Sequence, residues 1–394
     1  MRKDLFIVAV LVVLLYAALA FGIYTSLTQY VLGANDFFSR WMGARALFLR
    51  GENPYSDTVT REIQMAMYGR LARADEDQVA YAYPLYTAFA IAPLVVLPYA
   101  QAEALWLAFL IFAVIGGVLA LIRLNEISMR PAILAVFIIG ALMFYPAARG
   151  IFNGQFALVS FVCLASAMLA IQSHHDALAG ILLALATLKP QPGVLIIPVV
   201  IVWASAHRRW QIVALTVIGI VVLIVAGLFM VPTWLGDFVL ALRNYAGYLR
   251  VGPPVQTLGE LLVPQFSMPL TFAASFVLLT GLLWTLARSV HQAWQPFQST
   301  IGLAALVTTL MAGRVGTPDQ ILLLFLWLAW FGEWRRNRQN RFLALGAGAI
   351  LFLPWLVFFA TLNGDAEHIV VTLVLPLLTL GAYGWRAGVK QWTP

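Results

Sequence analysis

An all-α, polytopic membrane fold is what this sequence predicts, and three observations predict it. Of 394 residues, 62% are hydrophobic and 10% charged, against roughly 25% charged in an ordinary soluble domain. Apolar runs long enough to cross a bilayer recur along the whole chain. Basic residues gather in short clusters between those runs, as they do in cytoplasmic loops. At about 20 residues per span, the length accommodates about twelve transmembrane helices, so residues 1–394 read as a single transmembrane domain. A net charge of +7 distributed in this way reports topology, and no nucleic-acid partner is expected. Cys163 is the one cysteine, which excludes a disulfide within the chain.

The first apolar run, 5–24, follows Arg2 and Lys3 and contains Ala18-Leu19-Ala20, a signal-peptidase-like site. It continues past that site and is long enough to span, so an uncleaved helix is expected. Residues 27–83 form the only long stretch of soluble character. Within it Phe37, Phe38, Trp41, Ala44, Arg45 and Phe48 recur at helical spacing, with Asn35 or Asp36 placed to cap. The pattern predicts amphipathic helices in a long outer loop, the first lying on the membrane surface. Asn53-Pro54-Tyr55 breaks that helix, and a more polar one is expected from about Asp57. Later spans are expected near 102–121, 132–147, 156–171, 178–188, 194–206, 212–230, 270–287, 300–312, 321–332, 342–361 and 369–383.

Topology decides how 84–98 is read. With the N-terminus inside, the basic clusters at 123–130, 207–209, 288, 335–338 and 386–390 all fall inside, provided 84–98 does not cross completely. Bounded by Pro84 and Pro98 and interrupted by Pro93, that segment is expected to be re-entrant or interfacial, a backbone tolerated where protein buries it. The outer face then holds 27–83 and the loops at 149–155, 189–192, 233–264, 313–320 and 363–368.

Chemistry-bearing residues concentrate at those outer margins. Asp36 stands just beyond the first span with Arg40 four residues on; helix capping and an i,i+4 pair account for it, and so does a general base at the water–lipid boundary. Arg149, Lys189, Arg250 and Arg314 run against the positive-inside bias. Each singly suits headgroup snorkelling, whereas several converging on one face suit an anion with a lipid tail. Asn153-Gly154-Gln155 and Lys189-Pro190-Gln191-Pro192 add amides that could serve turns or sugar hydroxyls. His174-His175-Asp176 falls in an inner loop and lacks a third partner for a metal. No phosphate loop, His-Glu-x-x-His or Gly-x-Ser-x-Gly occurs, so ATP hydrolysis and zinc or serine peptidase chemistry are unsupported.

The order of these words carries a resemblance. Asp36-Phe37-Phe38, Trp41, Ala44-Arg45-Ala46-Leu47 and Gly51-Glu52-Asn53-Pro54-Tyr55 resemble the first outer loop of glycosyltransferase family 87. Tyr83-Pro84-Leu85, Ala92-Pro93-Leu94, Leu97-Pro98, Asn153-Gly154-Gln155 and Leu188-Lys189-Pro190-Gln191-Pro192 follow in that family's order, with echoes at Pro318-Asp319-Gln320 and Glu367-His368. Leu85 stands where members often carry a second proline, and His368 where they often carry a histidine pair. The resemblance implies a GT-C-type fold. It implies an inverting enzyme that takes a sugar, frequently mannose, from a polyprenyl-phosphate donor and delivers it to a glycolipid or glycan acceptor on the outer face of a bacterial plasma membrane. Neither cofactor nor metal is implied. Carried onto this chain, it makes Asp36 the base. It makes Arg149, Lys189, Arg314 and Arg250 the donor-phosphate ligands, and Arg40, Asn153, Gln155, Gln191, Asp319, Gln320 and His368 substrate contacts. A lone base suffices because a lipid phosphate leaves as an anion without an acid. The rival is a transporter or flippase of a lipid-linked saccharide. Ion-coupled transporters place ionisable groups mid-span, and these spans are nearly free of them.

Overall fold

The computed structural model describes residues 2–74, 76–248, 252–311, 316–363 and 367–392. Among the described residues the regular elements are all helices. An apolar helix occupies each of the positions expected to span. Five are long and apolar enough to cross a membrane: Phe6–Thr28, Tyr99–Leu124, Trp210–Met230, Pro264–Ser289 and Asn340–Thr361. A sixth counts if Pro131–Met143 and Tyr145–Phe152, bent by 62°, form one broken span. Ala157–Gln172, Asp176–Leu188 and Pro190–Ala206 are apolar but shorter, so by length and composition five or six of the described helices could each cross a membrane. Burial separates the long helices. Tyr99–Leu124 is 61% buried, whereas Phe6–Thr28 and Pro264–Ser289 are each 6% buried and turn their apolar side chains outward, as helices facing hydrocarbon do.

The chain folds as two compact units interleaved in sequence: Met1–Ile115 with Arg149–Val159 and Val221–Leu249, and Gly116–Ala148 with Ser160–Ile220 and Arg250–Pro394. In the first, the Tyr16 hydroxyl donates to the Leu105 carbonyl at 2.9 Å and Thr28 Oγ1 to that of Ala100 at 2.7 Å, tying the first helix along Tyr99–Leu124. The helix Asn35–Arg45 continues as a π-turn, Ala46–Arg50. Its periodicity suggested a surface helix, but Phe37, Trp41, Ala44, Ala46 and Leu47 are all buried. Phe37 stacks on Trp106 at 5.0 Å and on Tyr99 at 6.1 Å. This helix rests on protein.

Residues 84–98 form no span-length helix. They contain Thr87–Ile91 and a 3-10 turn, Ala92–Leu94. Such short turns leave carbonyls unpaired at their ends, and the first-loop helix answers them. Trp41 Nε1 donates to the Leu94 carbonyl at 3.1 Å and Arg45 Nη1 to that of Val95 at 3.0 Å. A second loop helix, Asp57–Tyr68, begins at Ser56, whose Oγ accepts from Val59 N. Val59 and Ile63 pack with Ala46 and Val79 to close the loop.

In the second unit the helix Trp294–Met311 is buried along most of its length, and the 3-10 turn Thr317–Leu323 is buried throughout. The Lys189 turn sits between Ala186–Leu188 and Pro190–Gly193, where Lys189 is extended. Ser160 Oγ holds it by donating to the carbonyls of Ala186 and Lys189 at 2.8 and 3.2 Å.

Candidate functional site

Four side chains of the first unit close a ring. Asp36 Oδ1 lies 3.7 Å from Arg40 Nη1. The Arg40 guanidinium lies over the Tyr83 ring, 4.3 Å from its centroid. The Tyr83 hydroxyl donates to Gln155 Oε1 at 3.1 Å, and Gln155 Nε2 donates to Asp36 Oδ2 at 2.5 Å. Asp36 occupies the first turn of its helix, whose N-cap is Ala34, so it is not the cap residue. Its carboxylate is 30% exposed, beside a guanidinium that is nearly inaccessible.

The backbone around Asp36 is held from three sides. Ala34 adopts the left-handed conformation at φ 49°. Gly33 N donates to Glu103 Oε1 at 2.9 Å and the Gly33 carbonyl accepts from the Tyr99 hydroxyl at 2.7 Å. The turn bearing Gln155 docks through Gly154, at φ +68°, where a Cβ would come within 2.5 Å of Phe37 Cβ. Only glycine tolerates both the angle and the approach. Trp106 Nε1 fixes this turn by donating to the Gly154 carbonyl at 2.9 Å.

Electrostatics favour a charged Arg40. Burial works against its charge, but Tyr83, Asp36, Tyr245 and Asp77 together hold its pKa above the ordinary guanidinium value. Burial pushes the Asp77 carboxyl up. It does the same to the Tyr245 hydroxyl, with Asp36 adding to the effect. Ser39 Oγ accepts from Arg40 Nη1 at 2.5 Å, so Arg40 is a braced counter-charge.

The structure distributes the remaining expected site residues. Arg149, on Tyr145–Phe152, is half-buried in the same unit, and Asn153 is half-buried in the turn that carries Gln155. In the second unit Lys189 Nζ pairs with Asp319 Oδ2 at 2.8 Å, with side chains 7% and 4% exposed. Gln320 Nε2 donates to the Thr372 carbonyl at 2.7 Å, while Gln320 Oε1 and Gln191 Oε1 are buried without a hydrogen-bond partner among the described residues. His368 is exposed, its Nδ1 accepting from Val370 N at 3.3 Å. Arg250 and Arg314 lie outside the described residues. Asp176 is paired with Arg209, and among the described residues no cluster of three or more His, Cys, Asp or Glu is placed to hold a metal.

Sequence reasoning missed Tyr83 as a member of the ring, and missed Tyr245, Asp77 and Glu103. Glu103 had a signal, a carboxylate inside an apolar run. Tyr83 stood in the family-like word Tyr83-Pro84-Leu85, whereas nothing marked Tyr245 or Asp77, whose partners are remote in sequence.

A helical membrane protein with a half-exposed carboxylate, oriented by an amide and flanked by a braced arginine, has the parts for moving a proton from a bound hydroxyl. The model of glycosyltransferase family 87 matches residues 81–254, which confirms the resemblance to that family and supports a membrane glycosyltransferase. The matched stretch contains Tyr83, Arg149, Asn153, Gln155, Lys189 and Gln191; Asp36 and Arg40 precede it, and Asp319, Gln320 and His368 follow it. No curated protein and no solved structure matches the chain.

Proposed function

We propose that this protein transfers a sugar, with mannose the first choice, from a polyprenyl-phosphate carrier to a hydroxyl of a glycolipid or glycan acceptor. The reaction takes place on the outer face of a bacterial plasma membrane, in one GT-C-type domain of about twelve spans. One observation carries the reading: the Asp36 carboxylate, 30% exposed, held at Oδ2 by Gln155 and flanked by Arg40 just beyond the first apolar helix. In the transfer the acceptor oxygen attacks the anomeric carbon from the side opposite the carrier, so the configuration inverts. Its proton passes to Asp36, the bond from the anomeric carbon to the phosphate oxygen breaks, and the lipid phosphate leaves as an anion.

Arg40 and Gln155 position the base. Arg149 and Lys189, with Arg250 and Arg314, neutralise the donor phosphate, which is where charge accumulates in the transition state. For Lys189 this means exchanging Asp319 for phosphate, since the two side chains are paired. Asn153, Gln191, Gln320 and His368 offer hydrogen bonds to sugar or phosphate.

The test supplies labelled polyprenyl-phosphate mannose and a panel of glycolipid acceptors to the purified protein in nanodiscs, comparing the parent with Asp36→Asn. Removing a general base lowers turnover by about 10² to 10⁴, and the isosteric amide should leave the melting transition in place. Near-parental turnover in Asp36→Asn would defeat the base assignment. No extended product from the parent on any acceptor in the panel would count against the donor class.

A further inference from the structure

A cavity of about 350 Å³ lies in the first unit among the start of the Asp57–Tyr68 helix, residues 78–81 and the Trp234–Tyr248 helix. That volume is at the small end of ligand sites, the scale of a single ring. Its polar walls are Tyr55, Asp57, Thr60, Gln78, Asp237 and Asn244. With Tyr81 they comprise two carboxylates, two amides, an aliphatic hydroxyl and two phenols, with no cationic side chain among the described lining residues. Such a lining repels phosphate and carboxylate ligands. Its groups suit a ligand rich in hydroxyls, which both donate and accept. The half-buried Tyr55 ring, braced edge-on at 5.3 Å by the fully buried Tyr81, adds aromatic surface for the C–H face of a sugar. Asp237 Oδ2 already accepts from Asn53 Nδ2 at 2.7 Å and Thr233 Oγ1 at 2.8 Å, so the carboxylate is fixed in place with its other oxygen able to accept.

Asp36 is not part of this lining, yet the cavity lies close to it. The Tyr55 hydroxyl donates to the carbonyl of Tyr83 at 2.5 Å, and the Tyr83 side chain belongs to the Asp36 ring. Asn244 on the cavity wall is followed by Tyr245, which is within electrostatic reach of Asp36 and Arg40. Tyr55 and Asn244 thus join the cavity wall to residues that surround Asp36.

We infer that this cavity is a subsite for an uncharged pyranose of the acceptor, one sugar unit removed from the hydroxyl that receives the transferred residue. The inference rests on the glycosyltransferase reading above, and its test uses binding so that the two can fail separately. Saturation-transfer NMR on the full chain in nanodiscs is run with methyl α-mannopyranoside, methyl α-glucopyranoside and glucuronate as probes at millimolar concentration. The neutral glycosides should bind and glucuronate should not. Ala241→Trp fills the cavity and should abolish the signal. Asn244→Ala should weaken binding about tenfold, the size of one lost hydrogen bond, and Asp57→Asn should admit glucuronate. Absence of neutral-glycoside binding, or its survival in an Ala241→Trp protein of parental melting, overturns the subsite. If that variant fails to fold, parental affinities and selectivity in both Asn244→Ala and Asp57→Asn overturn it instead. Cavity-dependent glycoside binding without any sugar transfer would leave a saccharide site and remove the transferase reading; transfer without glycoside binding removes the subsite alone.

Discussion

Two acid–base pairs, one in each compact unit, hold their charges in opposite ways. Asp36 and Arg40 stand 3.7 Å apart, the carboxylate 30% exposed and steadied by an amide, whereas Lys189 and Asp319 close to 2.8 Å with both side chains almost sealed. A half-open carboxylate can take a new hydrogen-bond partner while its neighbours stay where they are. A sealed pair draws on strong attraction at low dielectric, and losing one member strands the other. In the proposed reaction, the contrast separates a group held ready from a group that must first be released. It also ranks the effects of mutation.

The largest effect belongs to the open pair and to rate alone: Asp36→Asn loses about 10² to 10⁴ in turnover with little change in melting. Parallel losses of turnover and stability would erase the contrast. Next comes Lys189→Met, which removes the cation 2.8 Å from the buried Asp319 carboxylate and should cost about 3–5 kcal/mol of stability, read by denaturant titration in detergent. A Lys189→Met single variant as stable as the parent would show that the pair is not sealed. Smaller again is Gly154→Ala, which forces a methyl group into Phe37 at a left-handed φ. A cost of about 1–3 kcal/mol is expected, together with reduced turnover as Gln155 shifts, and unchanged melting would refute the docking described for this turn.

The smallest effect is a pH dependence in the first loop. Arg70 and the backbone of Arg73 hold the Glu76 carboxyl down to about 2, from 4.5. A depressed folded pKa contributes stability above the unfolded value and loses it as pH falls through the folded one. Local order around residues 70–78 should therefore weaken as pH falls from about 4.5 to about 2, with pepsin cleavage near Leu71 rising across that window. Cleavage independent of pH there, or equally pH-dependent in Glu76→Gln, would remove the assignment.

What was legible in the sequence was whatever shows itself locally. Apolar runs announced the helices, and Asp36 announced itself as a carboxylate at a hydrophobic boundary. In the 84–98 segment the prolines forecast short turns in place of a long helix, and the structure has Thr87–Ile91 and Ala92–Leu94 there. Periodicity in Phe37, Trp41 and Ala44 marked a buried stripe, but a stripe cannot say whether lipid or protein covers it, and here the answer is Tyr99 and Trp106. Gln155 was read as an amide for sugar, yet its oxygen and nitrogen are engaged by Tyr83 and Asp36. Lys189 was read as a lone cation because Asp319 lies 130 residues away. Hydrogen bonds across such separations leave no periodic trace, so the helices were easier to read than the side chains that orient the carboxylate.

The bond from Gln155 to Asp36 joins residues 119 positions apart, and this gives the site a birth order. Asp36 and Arg40 emerge early in synthesis, but Tyr83 follows later and Gln155 later still. At roughly 5–20 residues per second, those 119 residues take on the order of 6 to 24 s. Throughout that interval the nascent chain carries a carboxylate without the amide that aims it. Under the function proposed above, a polypeptide stopped short of Gln155 would lack the amide that orients Asp36, and the site would be complete only once Trp106 bonds the Gly154 carbonyl and the turn lies over Phe37.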